Sequence, residues 1–230
     1  MATRLILSPL TPMKRFLLPL FAGLLGSHAQ AGEISGKPIA RRAVLVHGIF
    51  EDGTKLDKMK KRLESHGIEC VCPKLIHHDG TGGLDYLAAH LKQDIDEAFG
   101  PKEPIIVIGF SMGGLVSRYY LQELGGADRC ATFITISSPH HGTNVAWTYY
   151  SKGAEQMRPG SDFLANLERT EHRLGKIPVV SYRTPMDLII LPTESSVWER
   201  ADNVKMPVAL HPLMIRSEKV LSDIESRLLK

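Results

Sequence analysis

The feature that most constrains this chain is an apolar run, residues 104–110 (PIIVIGF), that stops at Gly109-Phe110-Ser111-Met112-Gly113 and resumes with helical spacing over residues 112–123. A run of strand length with no polar alternation is covered on both faces, which is the situation of a strand inside a parallel sheet. Passing from such a strand straight into a helix through G-x-S-x-G requires a very tight turn. Side chains at the two flanking positions would clash there, hence the glycines, and the strain lifts the serine hydroxyl above the sheet edge. The helix behind it offers free N–H groups and the positive end of its dipole to negative charge developing at that hydroxyl.

The same rhythm runs through most of the chain. Residues 43–48 (AVLVHG) read as a buried strand. Residues 54–66 carry Leu56, Met59 and Leu63 on one helix face and end at Gly67. Residues 68–72 form a strand stopped by Pro73, and residues 84–99 an amphipathic helix closed by Gly100-Pro101. Residues 131–137 (ATFITIS) are a fourth strand, 177–182 and 203–210 two more, and 217–229 a closing helix. No hairpin signal or internal repeat interrupts the series. Strands alternating with helices predict an α/β fold, a mostly parallel central sheet flanked by helices on both faces, with ligands bound beyond the carboxyl ends of the strands. The rhythm is lost over residues 138–176, which hold Trp147, Tyr149, Tyr150 and Phe163. A structureless loop of that length is uncommon in a compact domain, so this segment is expected to form a small cap, with Trp147, Tyr149 and Tyr150 either lining an acyl site or packing cap to body.

Composition sets the outer limits. At 230 residues, 43% hydrophobic and 23% charged, the chain suffices for one substantial core. Its N-terminus reads as an export signal. Lys14-Arg15 precedes an apolar run over residues 16–26, and Ala29-Gln30-Ala31 fits a cleavage site before Gly32; Met13 is an alternative start. The run is too short for a spanning helix, which needs about 20 apolar residues. The expected organisation is therefore a signal peptide, 1–31, and a single exported domain, 32–230, carrying the cap at 138–176. Three of the 28 basic residues, Arg4, Lys14 and Arg15, lie in that leader, which holds no acid, so the remainder balances the 25 acidic residues. A domain without net charge has no general attraction to phosphate backbones, which sets nucleic acid aside.

Cys70, Cys72 and Cys130 are odd in number, so at most one internal bridge can form. Residues two apart on a strand lie about 6.5 to 7 Å apart, at the limit for a disulfide, so Cys70 and Cys72 are not expected to bridge each other. A bridge from either to Cys130, or three buried thiols, both fit the sequence. His77-His78-Asp79 and His140-His141 lack a ligand-spaced partner set, so no metal is expected. Thr81-Gly82-Gly83 lacks the lysine of a phosphate loop.

A serine hydroxyl needs a base to take its proton, and in a sheet of this kind the chain order is serine, acid, histidine. Of the histidines after Ser111, only His211 also follows Asp187, the favoured acid, which lies just beyond the strand 177–182. Asp202 and Glu194 are weaker competitors. A tetrahedral intermediate further needs two backbone donors at its oxyanion. Met112, next to the serine, supplies one, and Ile49, in the His47-Gly48-Ile49 loop after the first strand, is the candidate for the other. His47 is expected to brace this loop.

Taken together, Val46-His47-Gly48-Ile49, Gly109-Phe110-Ser111-Met112-Gly113-Gly114, Ser138-Pro139-His140-His141-Gly142-Thr143, Asp187-Leu188-Ile189-Ile190-Leu191-Pro192 and His211-Pro212-Leu213-Met214 resemble bacterial triacylglycerol lipases and esterases of the α/β-hydrolase superfamily. The resemblance spans the mature chain. It implies hydrolysis of carboxylic esters without a cofactor, through an acyl-enzyme on Ser111, with Asp187 and His211 completing a triad and Ile49 and Met112 forming the oxyanion hole. The implied partner is a small-molecule ester or lipid, with transient contact to lipid surfaces. Such enzymes often carry histidine before the serine, where this chain has Phe110. The same triad would serve a thioesterase or a phospholipid or glycolipid deacylase, and the fold alone would serve a non-catalytic binding protein.

Overall fold

The structure is a computed structural model and describes residues 36–230; the expected export segment and its cleavage point lie outside the described residues. Six strands form one sheet: β1 (Arg42–Val46), β2 (Glu69–Val71), β3 (Ile105–Phe110), β4 (Cys130–Ile136), β5 (Val179–Arg183) and β6 (Asp202–Lys205). Their spatial order is β2-β1-β3-β4-β5-β6, and every pairing is parallel. Parallel neighbours cannot be joined by a tight turn, so the links cross over a sheet face. The links carry α1 (Asp57–Ser65), α2 (Leu84–Phe99), α3 (Met112–Glu123), α4 (Lys152–Gln156) and α5 (Asp162–Arg169), and α6 (Glu218–Leu228) closes the chain.

Successive strand residues face opposite sides, which sorts the apolar runs into two cores. Val44, Val46, Ile105, Val107 and Phe133 pack on one face with α2, α3 and α5. Ala43, Leu45, Ile106, Ile108 and Ile134 pack on the other with α1 and α6. Both faces of β3 are therefore dry, and each buried aliphatic side chain contributes about 1.5–3 kcal/mol relative to leaving it in water. The same sorting separates the cysteines. Cys70 and Cys72 belong to the α1/α6 face and Cys130 to the α2/α3 face, so the sheet stands between them, and all three are free thiols.

Three elements differ from the sequence expectation. The last strand ends at Lys205 rather than extending to residue 210. Met206 N–H still donates to Arg183 O at 2.8 Å, but Pro207 has no N–H to continue the ladder. The helix expected over residues 54–66 begins as a 3-10 turn, Thr54–Leu56, and becomes α-helical at Asp57. Within 138–176 the chain forms α4, α5 and two 3-10 turns, Asn144–Trp147 and Glu171–Leu174. Helix α5 buries Phe163, Leu164 and Leu167 in the core shared with α3. Helix α4 is tied to the start of α2: Lys152 Nζ lies 3.2 Å from Asp85 Oδ2, Gln156 Nε2 donates to Asp85 Oδ1 at 2.8 Å, and Gly153 N–H donates to Gly80 O at 2.8 Å.

The described chain ends are also joined. Lys37 N–H donates to Lys230 O at 2.7 Å and Lys230 N–H returns to Lys37 O at 3.0 Å, with Pro38 bridged to Leu229.

Candidate active site

Ser111 stands between β3 and α3 with φ 54° and ψ −124°. This left-handed backbone costs a non-glycine residue about 1–3 kcal/mol and persists only where the surroundings over-determine it. Here they do. Ser111 N–H donates to Ile136 O at 2.9 Å, and Ser111 O accepts from Gly114 N–H at 3.1 Å. A side chain at Gly113 would overlap the backbone oxygens of Val46 and His47, so the first turn of α3 lies directly on the end of β1. Met112 N–H, in that first turn, has no intrahelical acceptor.

The loop after β1 lies beside the serine. His47 is fully buried, and burial lowers its pKa despite opposing contacts to Gly48, Glu51 and Asp52. Its Nε2 accepts the Leu75 N–H at 3.4 Å, which puts the ring proton on Nδ1, where it donates to Gly48 O at 2.9 Å. Gly48 O and Ile49 N–H belong to one trans peptide and point in opposite directions. Holding the carbonyl therefore aims the Ile49 N–H, which has no acceptor among the described residues.

Asp187 and His211 form the polar wall of the site. His211 opens the 3-10 turn His211–Arg216, and its Nδ1 donates to Asp187 Oδ2 at 2.7 Å. Asp187 Oδ1 accepts the N–H groups of Ile189 and Ile190, both at 2.9 Å. Burial would raise the Asp187 carboxyl, but the hydrogen bond to His211, the charge that ring can carry and the two amides outweigh it and leave it below the ordinary aspartate range. Since an ionised carboxylate only accepts, the His211 proton resides on Nδ1 and Nε2 presents a lone pair. The Phe110 ring packs against the imidazole with centroids 4.8 Å apart, so the residue preceding Ser111 touches His211 directly. Neither Ser111 Oγ nor His211 Nε2 has a hydrogen-bond partner among the described residues. Such contacts often close only when substrate is bound.

Beside Ser111 opens a cavity of about 310 Å³ lined by Ile49, Phe50, Pro139, Val145, Ala146, Tyr149, Ala154, Met157, Ile189 and Ile190. Of the four cap aromatics, Tyr149 alone lines it, edge-on to Phe50 at 5.1 Å. Trp147 lies under the Arg158 guanidinium at 4.4 Å, and Tyr150 is exposed. The competing acids lie elsewhere: Asp202 pairs with Arg227 at 2.6 Å, and Glu194 is an exposed residue 3.9 Å from Arg183. His140 is buried against Trp198 and, with Arg118 donating to its Nδ1, donates from Nε2 to Thr135 Oγ1 at 3.0 Å, while His141 reaches Val197 O. Among the described residues no group of three His, Cys, Asp or Glu could hold a metal ion.

Two contributors are not apparent in the sequence. Thr143 Oγ1 donates to Ile189 O at 2.7 Å and accepts Leu191 N–H at 3.0 Å, tying the cap to the Asp187 loop. Glu51 is a buried carboxylate that accepts Gly48 N–H at 3.2 Å. Only its i,i+4 spacing from Lys55 hints at an ion pair.

Comparison with known proteins agrees with this architecture. No curated protein matches the sequence. Among solved structures, the mature lipase BlEst2 of Bacillus licheniformis is similar at 16% identity and a TM-score of 0.68, over 85% of this chain and 94% of that one. A metagenome-derived lipolytic enzyme from the LipS and LipT study aligns at 14% identity and 0.61, over 84% and 94%. A pyrethroid hydrolase from Sphingobium faniae JZ-2 aligns at 18% identity and 0.55, over 80% and 95%. The model of the alpha/beta hydrolase fold family matches residues 44–205, and the chain belongs to that family.

Proposed function

We propose that this hydrolase cleaves carboxylic esters through an acyl-enzyme on Ser111, with His211 as general base and acid, Asp187 as its orienting carboxylate, and Ile49 and Met112 as oxyanion donors. The observation that carries this reading is the Asp187–His211 hydrogen bond of 2.7 Å, on a ring that packs against the residue preceding a strained, helix-capping serine. With Nδ1–H held by Asp187, Nε2 takes the Ser111 proton as Oγ attacks the ester carbonyl. The oxyanion forms where the Ile49 and Met112 N–H groups are unspent, and Nε2 then returns the proton to the leaving alkoxide. Water repeats the cycle on the acyl-serine and releases the acid.

The cavity supports an apolar acyl group. At about 310 Å³ it has roughly twice the volume of a dry pocket that admits one benzene, which corresponds to an acyl chain of up to roughly ten carbons. The loops around it also expose Phe50, Trp147, Tyr150, Leu188 and Leu213. Clustered apolar exposure of this kind favours an ester drawn from a lipid surface over one free in water. The same reading has the mature chain exported by residues 1–31, with Gly32 as its first residue when the secreted protein is sequenced.

A fluorophosphonate probe tests the proposal. Labelling is expected at Ser111, and Ser111→Ala or His211→Ala should fold and be inactive; full activity in Ser111→Ala ends the proposal. Oxygen esters and thioesters of equal acyl length, assayed side by side, separate an esterase from a thioesterase, and phospholipid and glycolipid substrates test for a deacylase.

A further inference from the structure

We infer that Glu51 is a positioning residue for the oxyanion pocket, holding the Gly48–Ile49 backbone beside the nucleophile by accepting the Gly48 N–H while His47 takes the Gly48 carbonyl. The inference rests on the proposed ester hydrolysis and names a residue on which that chemistry depends without contact to the substrate.

Glu51 occupies an unexpected environment. Its neighbours Phe50 and Asp52 are exposed, yet its own side chain is buried. Burying a carboxylate is costly unless it is both paired and hydrogen-bonded. Glu51 has one contact of each kind: Lys55 Nζ lies 3.1 Å from Oε1, and Gly48 N–H donates to Oε2 at 3.2 Å. The second contact turns the side chain back over its own loop. It spans three residues to reach the backbone immediately ahead of the Ile49 N–H.

Gly48 is also pressed against the elbow. A Cβ at Gly48 would lie 3.2 Å from Ser111 Cβ, 3.3 Å from Phe110 Cδ1 and 3.5 Å from Glu51 Oε2. The glycine is thus held between the nucleophile and the carboxylate, with His47 fixing its carbonyl. The next residue, Phe50, has φ 60°, a left-handed backbone that a bulky side chain adopts only under constraint, and its N–H is committed to His78 O at 3.0 Å. Along this loop the Gly48 N–H goes to Glu51, the Phe50 N–H to His78, and the intervening Ile49 N–H stays free beside the Ser111 cavity. Releasing Glu51 frees one of the restraints that keep this strained loop in place. A donor displaced by about 1 Å loses most of its value to a transition state and little of its value to ground-state binding.

Reach and charge separate the explanations. Glu51→Gln keeps the chain length and an acceptor oxygen and removes the charge; Glu51→Asp keeps the charge and falls one methylene short of Gly48. With a 4-nitrophenyl ester as substrate, Glu51→Gln is expected to keep kcat within about threefold of the wild type. Glu51→Asp and Glu51→Ala are expected to lower kcat by about 10- to 100-fold with KM within about twofold. A trifluoromethyl ketone adds to the serine: the Oγ–C bond forms, His211 takes the proton and the carbonyl electron pair becomes an oxyanion. Its inhibition constant should weaken in Asp and Ala by the same factor as kcat, and not in Gln. Thermal melts accompany each variant, and where Glu51→Ala does not fold the Gln and Asp pair decides. Wild-type kcat in Glu51→Asp, or equal losses in Gln and Asp, overturns the inference. Absence of fluorophosphonate labelling at Ser111 in the wild type would instead overturn the ester-hydrolase reading beneath it.

Discussion

The two sides of the site are held by different forces. On the serine side, β1, β3 and the first turn of α3 meet backbone to backbone, and Gly113 occupies a gap that no side chain can enter. On the acid–imidazole side, Asp187 and His211 come from two loops beyond β5 and β6, and hydrogen bonds hold them: two amides on Asp187 Oδ1, Nδ1 of His211 on Oδ2, and Thr143 tying Ile189 and Leu191 to the cap. One side is fixed by exclusion and the other by donors and acceptors that titrate and can be removed singly. Forcing a side chain into the packed backbone of the first side should therefore cost more stability than removing a single hydrogen bond from the second, where geometry and pH are the sensitive quantities.

The largest effect expected is that of Ser111→Ala, which removes the proposed nucleophile and leaves the packing in place. Ester hydrolysis should fall by about 10³- to 10⁶-fold in steady-state assays with the melting temperature little changed. Asp187→Asn comes next, because an amide can donate to His211 and so select the wrong tautomer. A loss of about 10²- to 10⁴-fold in kcat with an intact fold is expected, and unaltered kcat would remove Asp187 from its role. Gly113→Ala should cost about 4 kcal/mol or more in denaturant unfolding, since the backbone of β1 must move to admit one methyl group. Thr143→Val conserves shape and removes the hydroxyl shared by Ile189 and Leu191; about 1–2 kcal/mol, or roughly 3–8 °C in Tm, is expected. If the threonine variant proves costlier than the glycine variant, the contrast between the two sides is inverted.

The smallest effect is a pH dependence of stability. Burial first, and then the Arg118 charge, holds His140 well below the ordinary imidazole value, and burial also lowers His47. Unfolding lets both rings take up protons, so their contribution is complete above about pH 6.5, the unfolded value, and is lost as pH falls through the depressed folded values. Asp187, also lowered, contributes above the ordinary carboxylate value and loses that contribution only in stronger acid. Melts from pH 7 to pH 5 should therefore show a falling Tm before Asp187 titrates. A flat profile over that range would show that these imidazoles do not set the acid limit.

Much of the fold is legible from the sequence because its signals are local. Helices α2 and α3 start and stop where periodicity and Gly100-Pro101 or the G-x-S-x-G turn dictate, and a dry strand announces itself by an unbroken apolar run. The serine turn and the order of acid and histidine are readable on the same terms. What escapes is set by long-range partners. Thr143 meets the Asp187 loop 46 residues away, and no spacing rule reveals that one threonine serves two backbone groups there. Glu51 looks like an exposed turn residue until Gly48 is seen pressed against the elbow. The end of β6 is masked in the sequence because Val204, Met206 and Val208 continue an apolar alternation past Lys205, while Pro207 has no N–H to extend the ladder.

The pairing of Lys37 with Lys230 at the far end of the molecule has a practical consequence. A covalent junction between these neighbours would need only a short linker, so a domain cut to residues 37–230 is suited to circular permutation, with new termini opened in an exposed loop. Because Lys37 leads into the amino end of β1 at Arg42, whereas Ser111 follows the carboxyl end of the parallel strand β3, a carrier or immobilising tag attached at that junction would enter the sheet at the other ends of its strands from the cavity beside Ser111.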